Sequence, residues 1–209
     1  MPREHTEAVK RNILPRSVDQ RLPHVFREWR FTGATKDFGE AIETCQLCEQ
    51  EQLRYHFKIR NDKTHSHLWV GSQCILKFGV AVYDGGVLLS PDRARRKLHG
   101  LIAEMRLKAC LLALEQLAIE ENNDILRTAL KYYREHGYLS PKLAFVVLWR
   151  LEANRIDHSP SFFKVSLRRS KYQDDLENMP TSHVHTIWPA LSTAQRATAI
   201  ERGHAPPPE

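Results

Sequence analysis

No stretch of this chain is apolar for long enough to cross a bilayer as a helix. The opening Met1-Pro-Arg-Glu-His lacks the hydrophobic core of a secretory signal. Both absences imply a cytoplasmic protein without a membrane partner. There is no G-x4-G-K-S/T phosphate loop, no H-E-x2-H, and no H-x-E…P-C-x2-C, since Thr44 and not proline precedes Cys45. Those gaps remove P-loop nucleotide chemistry, zincin proteases and zinc deaminases. No catalytic residue is assigned, and the chain is expected not to be an enzyme. Neither a helix-turn-helix nor a basic-zipper pattern offers base readout. No internal repeat and no clear linker divides the sequence. Cysteine is scarce, with four among 209 residues. In a reducing cytosol, thiols that cluster read as metal ligands rather than disulfides.

What is present is ordinary in bulk and informative in placement. Hydrophobic residues make up 42% and charged residues 27%, the balance of a soluble globular chain. Three of the four cysteines fall within residues 45–74. Between them Tyr55, Phe57 and Ile59 alternate with Arg54, His56 and Lys58, the period of a half-buried strand. Leu68 and Val70 repeat the pattern after the turn signal Asn61-Asp62. The expectation is two antiparallel strands joined by a short turn, with Cys45 and Cys48 before the first and Cys74 after the second. Pairing brings the three thiols together at the open end of the hairpin. Gly71-Ser72 supplies a turn and cap, so Cys74 enters the first turn of a short helix, where backbone N–H groups favour a thiolate.

A C-x2-C knuckle with a third cysteine at a helix start suits a tetrahedral zinc site. For the fourth ligand, folding the hairpin about Asp62–Lys63 sets His56 opposite Trp69 and nearest the knuckle. His56 is the expected ligand, His67 the next candidate and Cys110 an outsider; His65 sits by the turn at the far end. A two-stranded hairpin buries too little to be stable alone, so a metal tying its ends would act structurally.

The strings L-R-Y-x-F-x-I-x-N and L-W-V-G-S-x-C-I-L-K-F, behind the C-x2-C, resemble a hairpin zinc-finger module. Such modules recur in poorly characterised proteins of bacteria, phages and mobile elements, sometimes beside nuclease domains. The resemblance covers roughly residues 45–78. It implies a metal-supported module of phage or mobile-element type and implies no activity. Related modules often carry a histidine two places after the Arg-Tyr pair; here that place is Phe57, and His56 lies one place earlier.

Charge is distributed unevenly. Residues 54–108 hold eleven Lys/Arg against four Asp/Glu, which exceeds the net charge of +6 for the whole chain. Arg54, Lys58, Arg60 and Lys63 on the hairpin, with Arg93, Arg95, Arg96 and Lys97 at the start of the next helix, make a polyanion-binding footprint. The function expected is therefore a zinc-finger accessory protein that binds DNA or RNA through phosphate contacts. The alternative is an adaptor or inhibitor of phage or mobile-element type whose basic face docks an acidic protein.

The remaining segments complete an α+β expectation, a zinc-stabilised hairpin on a mainly helical body. Residues 1–34 read as an arm and docking segment, 35–89 as the zinc-hairpin module, and 90–209 as the helical body. Within the arm, residues 1–20 are expected to be poorly ordered or loosely docked, Val18 to Phe31 to be helical, and Trp29 to pack in the core. Thr35 to Ile42 reads as a helical turn, and Val87 to Leu89 as a segment dipping back into apolar contact. Ser90-Pro91-Asp92 opens a long helix. A second helix is expected from Asn123 to His136, ending at Gly137. Ser140-Pro141 caps a third, apolar on most sides. Cys110 reads as a packed core thiol, and His183 and His185 as a weak candidate metal pair. Leu191-Ser192-Thr-Ala-Gln195 carries a capping box, and Ala205 to Glu209 reads as a frayed tail.

Overall fold

Alternation of apolar and polar residues builds three antiparallel strands: β1 (Trp29–Asp37), β2 (Tyr55–Asn61) and β3 (His67–Val70), in the order β1-β2-β3. The computed structural model describes residues 3–208; Met1, Pro2 and Glu209, at the ends of the expected arm and tail, lie outside the described residues. The chain is α+β, as its pattern implies. It divides into two compact units, Met1–Met105 and Arg106–Glu209. The division falls inside a helix, not at residue 89 as the Ser-Pro-Asp signal suggests.

In the first unit, Phe57, Ile59, Leu68 and Val70 project from one sheet face into a core shared with Val25, Phe26, Trp29, Phe31 and Ile75. Burying each large side chain contributes about 1.5–3 kcal/mol. Residues 3–20 are not a poorly ordered arm. Helix α1 (Arg3–Ile13) seats Val9 and Ile13, one turn apart, in this core. Trp29 is buried, and its indole N–H donates to Ser17 Oγ at 2.9 Å.

Two expected helical stretches are strand in part: Val18 to Phe31 holds a 3-10 turn at His24–Glu28 and becomes strand at Trp29, and Thr35 to Ile42 is strand up to Asp37. Trp29 and Phe31 point inward while Arg30 and Thr32 point out, and the strand continues through Thr35 to Asp37. A register break between Phe31 and Thr35 interrupts the alternation. The β2–β3 turn is also longer than expected. Asn61 is fully buried; its side-chain oxygen accepts from the Lys63 and Thr64 N–H groups, and its backbone N–H donates to Ser66 O. Lys58, not His56, therefore lies opposite Trp69, and His56 pairs with Lys36 of β1.

After β3 come helix α2 (Ser72–Lys77) and a two-stranded hairpin, β4 (Tyr83–Asp84) and β5 (Val87–Leu88). Val87 and Leu88 are exposed rather than dipping inward; Leu89 packs against the core. Helix α3 (Pro91–Glu120) gives its first turns to this unit, with Ala94 and Leu98 buried.

The second unit contains the rest of α3, then α4 (Asp124–His136), α5 (Pro141–Ala153), α6 (Ser170–Glu177), α7 (Thr181–Ile187) and α8 (Thr193–Glu201). Asn123 and Ser140 cap α4 and α5, and Gly137 ends α4 at φ 71°. The Ser192–Gln195 capping box forms on α8. Ala144, Val147, Leu148 and Leu151 of α5 are buried among Leu114, Leu126, Leu130 and Phe163. Cys110 is buried in this core, and burial pushes its thiol up to about 12. His183 stacks on Phe145 with ring centres 3.7 Å apart, and His185 Nε2 lies 2.9 Å from Ala205 O. These two histidines are committed to packing, and the start of the expected tail is docked.

Candidate metal centre and basic sheet face

The loop before β2 turns tightly enough to present two sulfurs together. Glu49 N–H donates to Cys45 O and Cys45 N–H to Gln50 O, with Glu49 at φ 60°. Gln46 fastens this knuckle to the edge of β3: its N–H donates to Trp69 O at 3.0 Å and its side-chain oxygen accepts from Trp69 N–H at 2.8 Å. Cys74, in the first turn of α2, completes the group. Its Sγ lies 3.7 Å from Cys45 Sγ and 3.3 Å from Cys48 Sγ. All three sulfurs lie within 4.8 Å of one another.

The three sulfurs form a group that could hold a metal ion. A tetrahedral centre with metal–sulfur bonds of about 2.3 Å sets its sulfurs about 3.8 Å apart. The backbone is arranged for an anionic sulfur. Cys45 is lowered to about 5 because it accepts from Cys74, and the N–H groups of Cys48, Gly71 and Leu47 outweigh the cost of burial. Burial raises Cys48, against a Gln50 N–H aimed at its sulfur. Cys74, the donor to both, is pushed up.

Strand alternation keeps the expected fourth ligand away. Tyr55 lies on the β2 face that meets the sulfurs, so His56 lies on the other face. His56 is 3% exposed beneath the Phe38 ring, 5.2 Å away, and its Nε2 has no hydrogen-bond partner. Burial lowers its imidazole below the usual value. His67 is exposed opposite Arg60, and Cys110 belongs to the second unit. Among the described residues, no other His, Cys, Asp or Glu joins the sulfur group.

The outer sheet face gathers basic residues around one aromatic. Register puts Arg30, Arg60 and His67, then Lys58 and Trp69, then Lys36 and His56 on that face. Lys36 Nζ and Lys58 Nζ stand 5.2 and 5.9 Å from the Trp69 ring centre. Among the described residues neither lysine has a carboxylate partner. Arg30 pairs with Asp62 at 2.7 Å, and Arg60 bonds His65.

Others of the expected cations are committed. Arg54 makes two hydrogen bonds to Asp37, Lys63 reaches the buried Glu28, and Lys97 pairs with Asp84 of β4. Arg93, Arg95 and Arg96 remain exposed at the start of α3. Arg30 and Lys36 escape a reading that takes β1 as helix. Trp69 and Lys58 are in view within the hairpin, but their pairing is not.

No family model, no curated protein and no solved structure matches this chain.

Proposed function

We propose that the first unit is a zinc-supported nucleic-acid-binding module, acting by binding rather than catalysis in a reducing compartment such as the cytoplasm. The observation that carries the reading is the outer sheet face, where Lys36 and Lys58 both approach the Trp69 ring and Arg60 lies on the same face. Lysines near an accessible aromatic ring suit a phosphate backbone with a base stacked against the ring; such stacking contributes about 1–3 kcal/mol per base. Zinc would be held by Cys45, Cys48 and Cys74. Its role would be structural, because the knuckle it fixes is the segment whose Gln46 clamps Trp69. Arg93, Arg95 and Arg96 would add peripheral phosphate contacts.

A second reading draws on a different observation. The β4–β5 hairpin exposes Tyr83, Val87 and Leu88 together. That apolar tip, beside the basic start of α3, would suit an acidic protein partner, and the chain would then be an adaptor.

A salt titration of binding to mixed-sequence single-stranded DNA and RNA tests the first reading. Log affinity should fall linearly with log salt as counterions are released. Lys36→Glu with Lys58→Glu should weaken binding to all sequences and flatten the slope. Trp69→Ala should weaken binding while leaving the slope unchanged. If the wild-type protein binds neither polymer at low salt, the nucleic-acid reading is wrong and the adaptor reading takes its place.

A further inference from the structure

The three sulfurs do not close off their own site. A cavity of ≈ 260 Å³ lies against Cys45, Cys48 and Cys74, walled by Gln50, Gln52, Tyr55, Ser72 and Gln73, with Ile102 on one side. Gln50, Gln52 and Gln73 are exposed, so it opens to solvent. A tetrahedral ion on three thiolates has one position left. The histidine that could have taken it is on the opposite face of β2, buried under Phe38, and does not line the cavity.

We infer that a metal held by these thiolates keeps an exchangeable fourth position, facing this cavity, that takes a small neutral nitrogen or oxygen donor rather than a side chain of this protein. The inference rests on the metal reading above. Its ligand class follows from charge. A divalent ion with three thiolates carries a net negative charge, so a further anion is repelled. The guanidinium that borders the cavity, Arg54, is already matched by Asp37. Apart from Arg54 and the cysteines, the polar side chains of the wall are carboxamides and hydroxyls, set among Leu53 and Ile102, and they hydrogen-bond a bound water or an imidazole N–H without adding charge. A ligand of that size fits in the volume available, and the sulfurs at its floor admit it only from the solvent side.

The test uses cobalt(II) as a spectroscopic stand-in for zinc in the full-length chain, with protein in excess. Thiolate-to-cobalt charge transfer reports that the metal stays on sulfur, and the visible d–d bands report the fourth ligand. Imidazole should shift the d–d bands saturably, to one imidazole per cobalt, with the charge-transfer band retained. His56→Phe, which keeps a ring in the buried site, should give the same starting spectrum and the same shift. Retained cobalt with a spectrum indifferent to imidazole overturns the exchangeable position. A starting spectrum changed by His56→Phe, with the imidazole response altered, assigns the position to His56 and overturns it equally. Absence of any thiolate–cobalt band overturns the metal reading itself, and this inference with it.

Discussion

The carboxylate of Glu28 is buried with four donors around it: the N–H groups of Val18 and Asp19, Asn61 Nδ2 and Lys63 Nζ. Burial pushes its pKa up, but the hydrogen bonds outweigh that and take it from an ordinary 4.5 to about 2. A folded value below the unfolded one stabilises the fold above pH 4.5, and that stabilisation is lost as pH falls towards 2. Glu28→Gln should cost roughly 2 kcal/mol at neutral pH, since charge-assisted bonds are replaced by weaker ones and one donor is left poorly matched. The acid limb of the melting curve, measured between pH 4.5 and 2, should flatten in the variant; an unchanged limb would mean that Glu28 does not link folding to protons. The cysteines make a sharper comparison. Cys45→Ser, Cys48→Ser and Cys74→Ser should each lose the metal, while Cys110→Ser, altered in the other unit, should keep it. Metal content per chain decides this, and full zinc in Cys74→Ser would refute the site. Spacing made the thiols legible in sequence. Nothing local to Glu28 announced its role, because its donors come from residues 18, 19, 61 and 63.

At the scale of elements, identical charge has different consequences according to where the strand puts it. Arg54 stands one residue before β2 and Asp37 at the end of β1, 21% and 15% exposed in their side chains, joined by hydrogen bonds. Lys58 is the fourth residue of β2, on the open face beside Trp69. Arg54→Ala should therefore cost stability, of order 1–3 kcal/mol, by leaving a half-buried carboxylate without its partner. Lys58→Ala should leave the melting temperature nearly unchanged and weaken nucleic-acid binding. Denaturant melts beside binding curves separate the two; equal loss of stability would place Lys58 in the packing. Both residues read alike in sequence, as cations within one basic window. What separated them was β1, whose alternation is legible at Trp29-Arg-Phe-Thr but breaks at Gly33, φ 88°. The register error has a similar origin. A tight turn about Asp62–Lys63 satisfies the alternation, but Asn61 holds a longer turn closed at Ser66. The partners move by one residue pair while the faces stay the same, so the apolar face was predictable and the neighbour of Trp69 was not.

Over the whole molecule, the two units differ in how they would depend on a metal. The first folds a small sheet whose knuckle, edge strand and α2 meet at three sulfurs. The second has a contiguous core of its own, from Cys110 to Ala199, supported by capped helices. Cores of the second kind are written in helical periodicity and caps, which is why α4 and the starts of α5 and α8 were legible from sequence within a residue or two. The small sheet is assembled from segments distant in sequence, and α1 and β1 were not. Apparent binding free energies of structural zinc in small fingers reach about 10–16 kcal/mol, and that energy is folding energy wherever the site exists only in the folded state. A strong chelator should therefore raise hydrogen exchange at the amides of β2, β3 and α2, and at Leu47, Cys48 and Gly71 whose N–H groups meet Cys45. The amides of α4 and α5 should keep their protection, because no thiol of the cluster lies in their unit. Segment-resolved exchange with and without chelator reads both units in one sample. Equal deprotection of α4 and α5 would show that the second core depends on the first. Unchanged exchange throughout, in protein shown to have lost its metal, would mean that hydrogen bonds and packing hold the knuckle without it.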